Sequence, residues 1–178
     1  MPRHVVLLRG INVARNQRIP MPELREALEA NGFRDVATYL QSGNVVLSSP
    51  SSVAPVARKV NAVIKAAFGF DVAVVVRSHA ELAEVVRRNP LAKDKDDPKR
   101  YLVTFFSPDI PRDLGERMRA VAGPHERFVV IGREVYSWHP AGVGRSPLWE
   151  RLAAKMRDVV ATSRNWSTVT ALLAMAAR

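Results

Sequence analysis

The sequence contains no cysteine. That excludes disulfides, thiolate chemistry and cysteine-ligated zinc, and it suits a cytoplasmic protein. No apolar stretch approaches the roughly 20 residues that span a bilayer. Near the N-terminus only Val5-Val6-Leu7-Leu8 is continuously apolar, too short for a secretory core segment. Neither a GxSxG nucleophile elbow nor a GxxxxGK[ST] phosphate loop occurs. His4, His79, His125 and His139 stand far apart, without ligand spacing. Asp94, Asp96 and Asp97 lack the glycine and glutamate that complete a calcium loop. No metal and no cofactor is expected, and no catalytic motif is recognisable.

Acidic residues are also in short supply. The chain has 178 residues, 27 Lys+Arg against 17 Asp+Glu, and a net charge of +10. Such an excess suits a polyanionic partner: nucleic acid, an anionic membrane surface, or a phosphorylated ligand. The excess is spread along the chain rather than gathered in a tail. Arginine greatly outnumbers lysine and the chain is rich in alanine and valine, a bias that a GC-rich genome also produces. Two local features stand apart from composition. Residues 1–22 hold Arg3, Arg9, Arg15 and Arg18 with no acid, and nothing acidic follows Asp158.

With 47% hydrophobic residues the chain can bury one core or two small ones. His4–Arg9 is a buried-strand pattern, and Leu24 and Leu28 mark a helix that Asn31-Gly32 stops. Val36–Leu40 and Asn44–Leu47 flank a hairpin at Gln41-Ser42-Gly43. Val56, Val60, Val63, Ile64 and Phe68 trace a helix closed by Gly69, and Val72–Val76 is another strand. Ser78 and Glu81 form a capping box for a further helix. Residues 89–100, with two prolines and seven charges, read as a linker. The order then begins again. Tyr101–Phe106 is a strand, Leu114 and Met118 mark a helix, and a hairpin surrounds Gly132-Arg133-Glu134. A helix follows from Pro147, then a short strand at Val159–Ala161 and an amphipathic helix from Trp166. The expected fold class is α+β, as two tandem ferredoxin-like βαββαβ halves (the α/β plait) with antiparallel sheets and a C-terminal helix. The expected boundaries are 1–88, linker 89–100, and 101–178.

In that topology the loop after the first strand and the hairpin between the second and third open at one end. Arg9, Gly10, Asn12, Arg15 and Arg18 would then share a surface with Gln41, Ser42, Gly43 and Asn44. Guanidiniums, amides and glycine-exposed N–H groups suit a phosphate or carboxylate. The same amides and hydroxyls also serve to satisfy local backbone. In the second half, Gly142–Pro147 is a glycine-containing loop entering a helix, with Ser146 as N-cap and Arg145 beside the helix N-terminus. Thr162-Ser163-Arg164-Asn165 reads as a second such loop before the last helix. Tyr101, Phe105, Tyr136 and Trp138 are candidates for a base-stacking platform or, more commonly, for core.

The blocks LLRGINVARNQRIPMPELREALEANGF and VATYLQSGNVVLSS resemble the opening of the bacterial family called domain of unknown function 1697. NPLAKDKDDPKRYLVTFF, VYSWHPAGVGRS and ATSRNWSTVTALL resemble its later blocks in the same order. The resemblance implies tandem α/β-plait halves and no assigned activity. Its polar motif residues fall on Arg9, Gly10, Asn12, Ser42, Gly43, Asn44, Arg164, Asn165 and Trp166. Members often carry Gly-Gly where this chain has Ala14-Arg15. Three functions fit these readings. One is non-enzymatic binding of nucleic acid through Arg9, Arg15, Arg18 and Arg164. Another is binding or turnover of a small anionic ligand at Arg9, Asn12, Ser42 and Asn44. The third is docking of a protein partner or a second copy.

Overall fold

A computed structural model of the chain describes residues 1–13, 15–94 and 97–178. Ala14 of the first loop, and Lys95 and Asp96 of the charged 89–100 segment, lie outside the described residues, as does the side chain of Asp94. Among the described residues the fold is α+β, with two four-stranded antiparallel sheets and six helices. The chain divides into two compact units, Met1–Glu84 with Ala171–Arg178, and Val85–Thr170.

The first unit runs β1 (Arg3–Leu8), α1 (Met21–Ala30), β2 (Arg34–Tyr39), β3 (Asn44–Ser48), α2 (Val53–Phe68) and β4 (Val74–Ser78). Its sheet order is β2-β3-β1-β4, every neighbouring pair antiparallel. The helices close where local chemistry says they must. Asn31 caps α1 and Gly32 turns the chain with φ +87°. Gly69 takes φ +85° and returns its N–H to the Lys65 carbonyl, ending α2 in the left-handed conformation that glycine adopts without a Cβ penalty. Val6, Leu8, Leu24, Leu28, Val45, Leu47, Val60 and Ile64 pack as one apolar core between sheet and helices. The end of the chain joins this unit, with Arg3 Nη2 donating to the Met175 carbonyl at 3.4 Å.

The unit boundary falls within α3 (His79–Arg88). Its capping box is complete: the Ser78 N–H donates to Glu81 Oε2 at 2.8 Å, and the Glu81 N–H to Ser78 Oγ at 3.2 Å. The second unit then repeats the order with β5 (Tyr101–Ser107), α4 (Leu114–Arg119), β6 (Arg127–Ile131), β7 (Glu134–Trp138), α5 (Pro147–Met156) and β8 (Val160–Asn165). The last helix, α6 (Trp166–Ala176), follows directly. The sheet order is β6-β7-β5-β8, again antiparallel throughout. Phe106, Leu114, Met118, Val135, Leu148, Leu152 and Met156 form its core.

Two expectations are corrected here. Thr162–Asn165 is not a loop but most of β8, because β5 offers an unpaired edge from Leu102 to Ser107 and the polar segment completes its ladder. The aromatic platform does not form, because three of its four rings are buried and Trp138 alone is half-buried. Tyr101, Phe105 and Tyr136 are each at most 1% exposed. Tyr101 stacks on Trp166 with centroids 5.1 Å apart, and its hydroxyl donates to Asn89 Oδ1 at 2.6 Å. The Tyr136 hydroxyl donates to the Val85 carbonyl at 2.8 Å. These rings are core, with their polar tips satisfied.

Candidate functional site

In the first unit the structure brings the expected loop and hairpin together. The Leu8 N–H donates to the Gly43 carbonyl at 2.8 Å. Gly43 sits at φ +85°, and a Cβ there would lie 2.7 Å from Leu8 Cβ and 2.9 Å from Ile11 Cδ1. The hairpin therefore seats against the end of β1 only because this position is glycine. Asn12 bridges the two segments. Its Nδ2 donates to the Ile19 carbonyl at 2.9 Å and to the Gln41 carbonyl at 2.7 Å, while its Oδ1 accepts the Ile19 N–H at 2.8 Å. Asn44 is fully buried and donates to the Tyr39 carbonyl and to Ser42 Oγ.

The amides thus hold backbone to backbone, and the guanidiniums lie outside them. Arg15 and Arg18 are exposed, and among the described residues neither has a carboxylate partner. Arg9 is half-buried and already engaged with a neighbour. Gly10, Gln41 and Ser42 are exposed at the same surface.

The second unit uses its polar residues differently. Ser146 caps α5, accepting the Trp149 N–H at 2.9 Å. His139, fully buried, lies with Nδ1 2.7 Å from Ser146 Oγ and Nε2 2.8 Å from Ser137 Oγ. Glu126 closes the cluster. Its Oε2 accepts the Gly123 N–H at 2.9 Å and the Leu148 N–H at 3.3 Å, and its Oε1 is 3.8 Å from His139 Nδ1. With the ring neutral, one ring nitrogen donates to a serine hydroxyl and the other accepts from one, so both are satisfied. Burial lowers the His139 pKa to about 4 against the opposing pull of Glu126, so the ring is neutral at pH 7. Burial would raise Glu126, but hydrogen bonds from Ser146, Gly123 and Leu148, together with His139, hold it below the usual carboxylate value.

The first-turn donors of α5 are therefore occupied. Leu148 N–H goes to Glu126, Trp149 N–H to Ser146 Oγ, and Glu150 N–H to the Ser146 carbonyl, while Pro147 has none. Glu126 is the anion at this helix N-terminus. Beside it, along α5, runs a groove of about 660 Å³ lined by Arg145, Trp149, Glu150, Ala153, Ala154 and Arg157 among others. Arg145 and Arg157 are exposed and, among the described residues, unpaired.

Arg164 and Asn165 belong to β8 and its junction with α6. Arg164 is buried, its Nη1 donating to Thr162 Oγ1 at 2.7 Å and to the Ser163 carbonyl at 2.8 Å, and burial brings its pKa down to about 10. Asn165 Oδ1 accepts the Thr168 N–H at 3.0 Å, a helix cap. Among the described residues no three His, Asp or Glu side chains gather as a metal site. No helix among them is long and apolar enough to cross a membrane.

The Glu126–His139 pairing and the groove are features that sequence reasoning missed. Ser137, His139 and Ser146 lie within ten residues, a visible signal, but Glu126 reaches them only through the fold. Trp149, Ala153 and Arg157 recur at helical spacing, which is the available sign of the groove.

Among solved structures, the chain is similar to the conserved bacterial protein SP0830 from Streptococcus pneumoniae. The two share 21% identity over 98% of each chain, with a TM-score of 0.81, a likeness of fold. None of the curated proteins compared with the chain matches it. The sequence profile of a family described as "Protein of unknown function (DUF1697)" matches residues 1–136, and over that span the chain belongs to the DUF1697 family.

Proposed function

We propose that the two units are tandem ferredoxin-like halves, and that the protein is a non-enzymatic binder of nucleic acid through the arginine surface at the loop end of the first. The shared strand order and antiparallel pairing of the two sheets support the architectural part. The cysteine-free composition supports a cytoplasmic setting.

One observation carries the binding part. Asn12 and Asn44 are engaged in holding the loop and its hairpin, while Arg15 and Arg18 project from the loop without carboxylate partners among the described residues. A small-ligand cradle at this surface would draw on Asn12 and Asn44, which are occupied; a docking surface for a phosphate backbone needs exposed cations. The loop offers the second. Exposed guanidiniums on a braced scaffold read charge and spacing rather than bases, so the reading implies weak sequence preference and steep salt dependence.

The test is fluorescence anisotropy with single-stranded RNA, duplex RNA and duplex DNA across a salt series, using the wild type and an Arg15→Ala/Arg18→Ala variant. The variant is expected to lower the slope of log affinity against log salt by about 2, one unit for each phosphate that is no longer neutralised. Equal slopes and equal affinities would remove these arginines from the interface and the reading with them.

A further inference from the structure

The groove along α5 combines features that do not belong to a plain helix surface. Trp149 lines it and is half-buried. The ring is braced from within, lying edge to face with the buried His139 at 6.3 Å and 87° between planes, while its backbone N–H is bonded to Ser146. Ala153 and Ala154 leave room along the helix flank. Arg145 and Arg157 line the groove as exposed cations, and Glu150 adds a single carboxylate. The helix N-terminus contributes no donor, since Glu126 and Ser146 occupy its N–H groups.

We propose that this groove is a binding site for a nucleoside monophosphate. Its volume of about 660 Å³ lies in the range of small-ligand sites. The Trp149 indole, a wall of the groove, is a partner for a flat heterocycle, since stacking on an aromatic ring is tolerant of which base it holds. Arg145 and Arg157 stand at opposite ends of α5, and either guanidinium presents the fork geometry that a phosphate accepts. Glu150 accepts from a ring amine or a ribose hydroxyl and disfavours a second phosphate beside it. The ligand class is thus set by three chemistries in one groove: an aromatic plane, a single phosphate, and a hydrogen-bond donor. The site lies wholly in the second unit and is independent of the arginine loop of the first.

The experiment is calorimetric titration of the full chain with AMP, adenosine and inorganic phosphate separately, on the wild type, Arg145→Ala/Arg157→Ala, Trp149→Phe and Arg15→Ala/Arg18→Ala. AMP is expected to bind saturably, with adenosine and phosphate each at least about tenfold weaker. The Arg145/Arg157 variant, altered only at exposed side chains, is expected to lose about tenfold or more in affinity, and Trp149→Phe to retain part of the stacking and lose less. The Arg15/Arg18 variant is expected to bind AMP as the wild type does, which separates this site from the proposed nucleic-acid surface. Absence of saturable AMP binding, phosphate binding as tightly as AMP, or a smaller loss in a folded Arg145/Arg157 variant would each overturn the proposal.

Discussion

The two units follow the same strand order, yet their polar loops are put to opposite uses. At the loop end of the first sheet, Asn12 and Asn44 fasten backbone segments together, leaving Arg15 and Arg18 outside. At the start of α5 in the second, Ser146, His139, Ser137 and Glu126 close on one another as a buried network with no donor left over. The lesson is that a cluster of polar residues at a loop says little about ligands until each donor and acceptor has been assigned. Exposed cations remain in both places: Arg15 and Arg18 in one, Arg145 and Arg157 in the other.

The comparison breaks first at its most crowded point. Gly43→Ala adds a methyl at 2.7 Å from Leu8 Cβ on a backbone with φ +85°. Strain and overpacking together are expected to cost about 4 kcal/mol, read as a fall in the urea midpoint. An unchanged midpoint would mean that the hairpin is not seated against β1 as described.

The second unit is expected to show a pH dependence centred on His139. Its folded pKa, about 4, lies below the ordinary 6.5. A histidine with a depressed folded pKa leaves the unfolded chain binding more protons, so its stabilising effect is complete above 6.5 and declines as pH falls toward 4. The loss over that window is expected to reach about 3 kcal/mol. Glu126, held below its usual value, adds a further loss only at lower pH. Unfolding curves at neutral pH and near the lower end should show the decline in the wild type and not in a folded His139→Asn variant.

Asn12→Ala removes three hydrogen bonds from the first loop and is expected to cost about 2 kcal/mol while leaving the His139 window in place. The smallest effect on stability belongs to the arginines. Because Arg15 and Arg18 are exposed and unpaired among the described residues, replacing both with alanine is expected to change stability by less than about 0.5 kcal/mol.

Much of the fold is legible in the sequence because its signals are local. The Ser78/Glu81 box, Gly69, Asn31-Gly32 and the valine-rich strands announce elements through caps and side-chain periodicity, and each forms within two residues of where it is expected. β8 is legible only at its start because Thr162–Asn165 is polar, and only the open edge of β5 explains why that segment becomes strand. The aromatic residues of β5 are ambiguous for a related reason: Tyr101 to Phe106 are all buried, so alternation no longer separates core from surface. At the candidate site, the meeting of Asn12 with Gln41 follows from topology. The direction in which each amide is used does not, since Asn12 serves the Ile19 and Gln41 backbones through bonds that sequence spacing does not specify.

The central claim is that the first loop separates what holds it from what it presents. The most direct measurement takes Asn12→Ala and Arg15→Ala/Arg18→Ala side by side and records, for each, the unfolding midpoint and the affinity for duplex RNA at fixed salt. The account expects the arginine variant to keep the wild-type midpoint and lose about tenfold or more in affinity, and the Asn12 variant to lose stability. An arginine variant that binds as tightly as the wild type would contradict it.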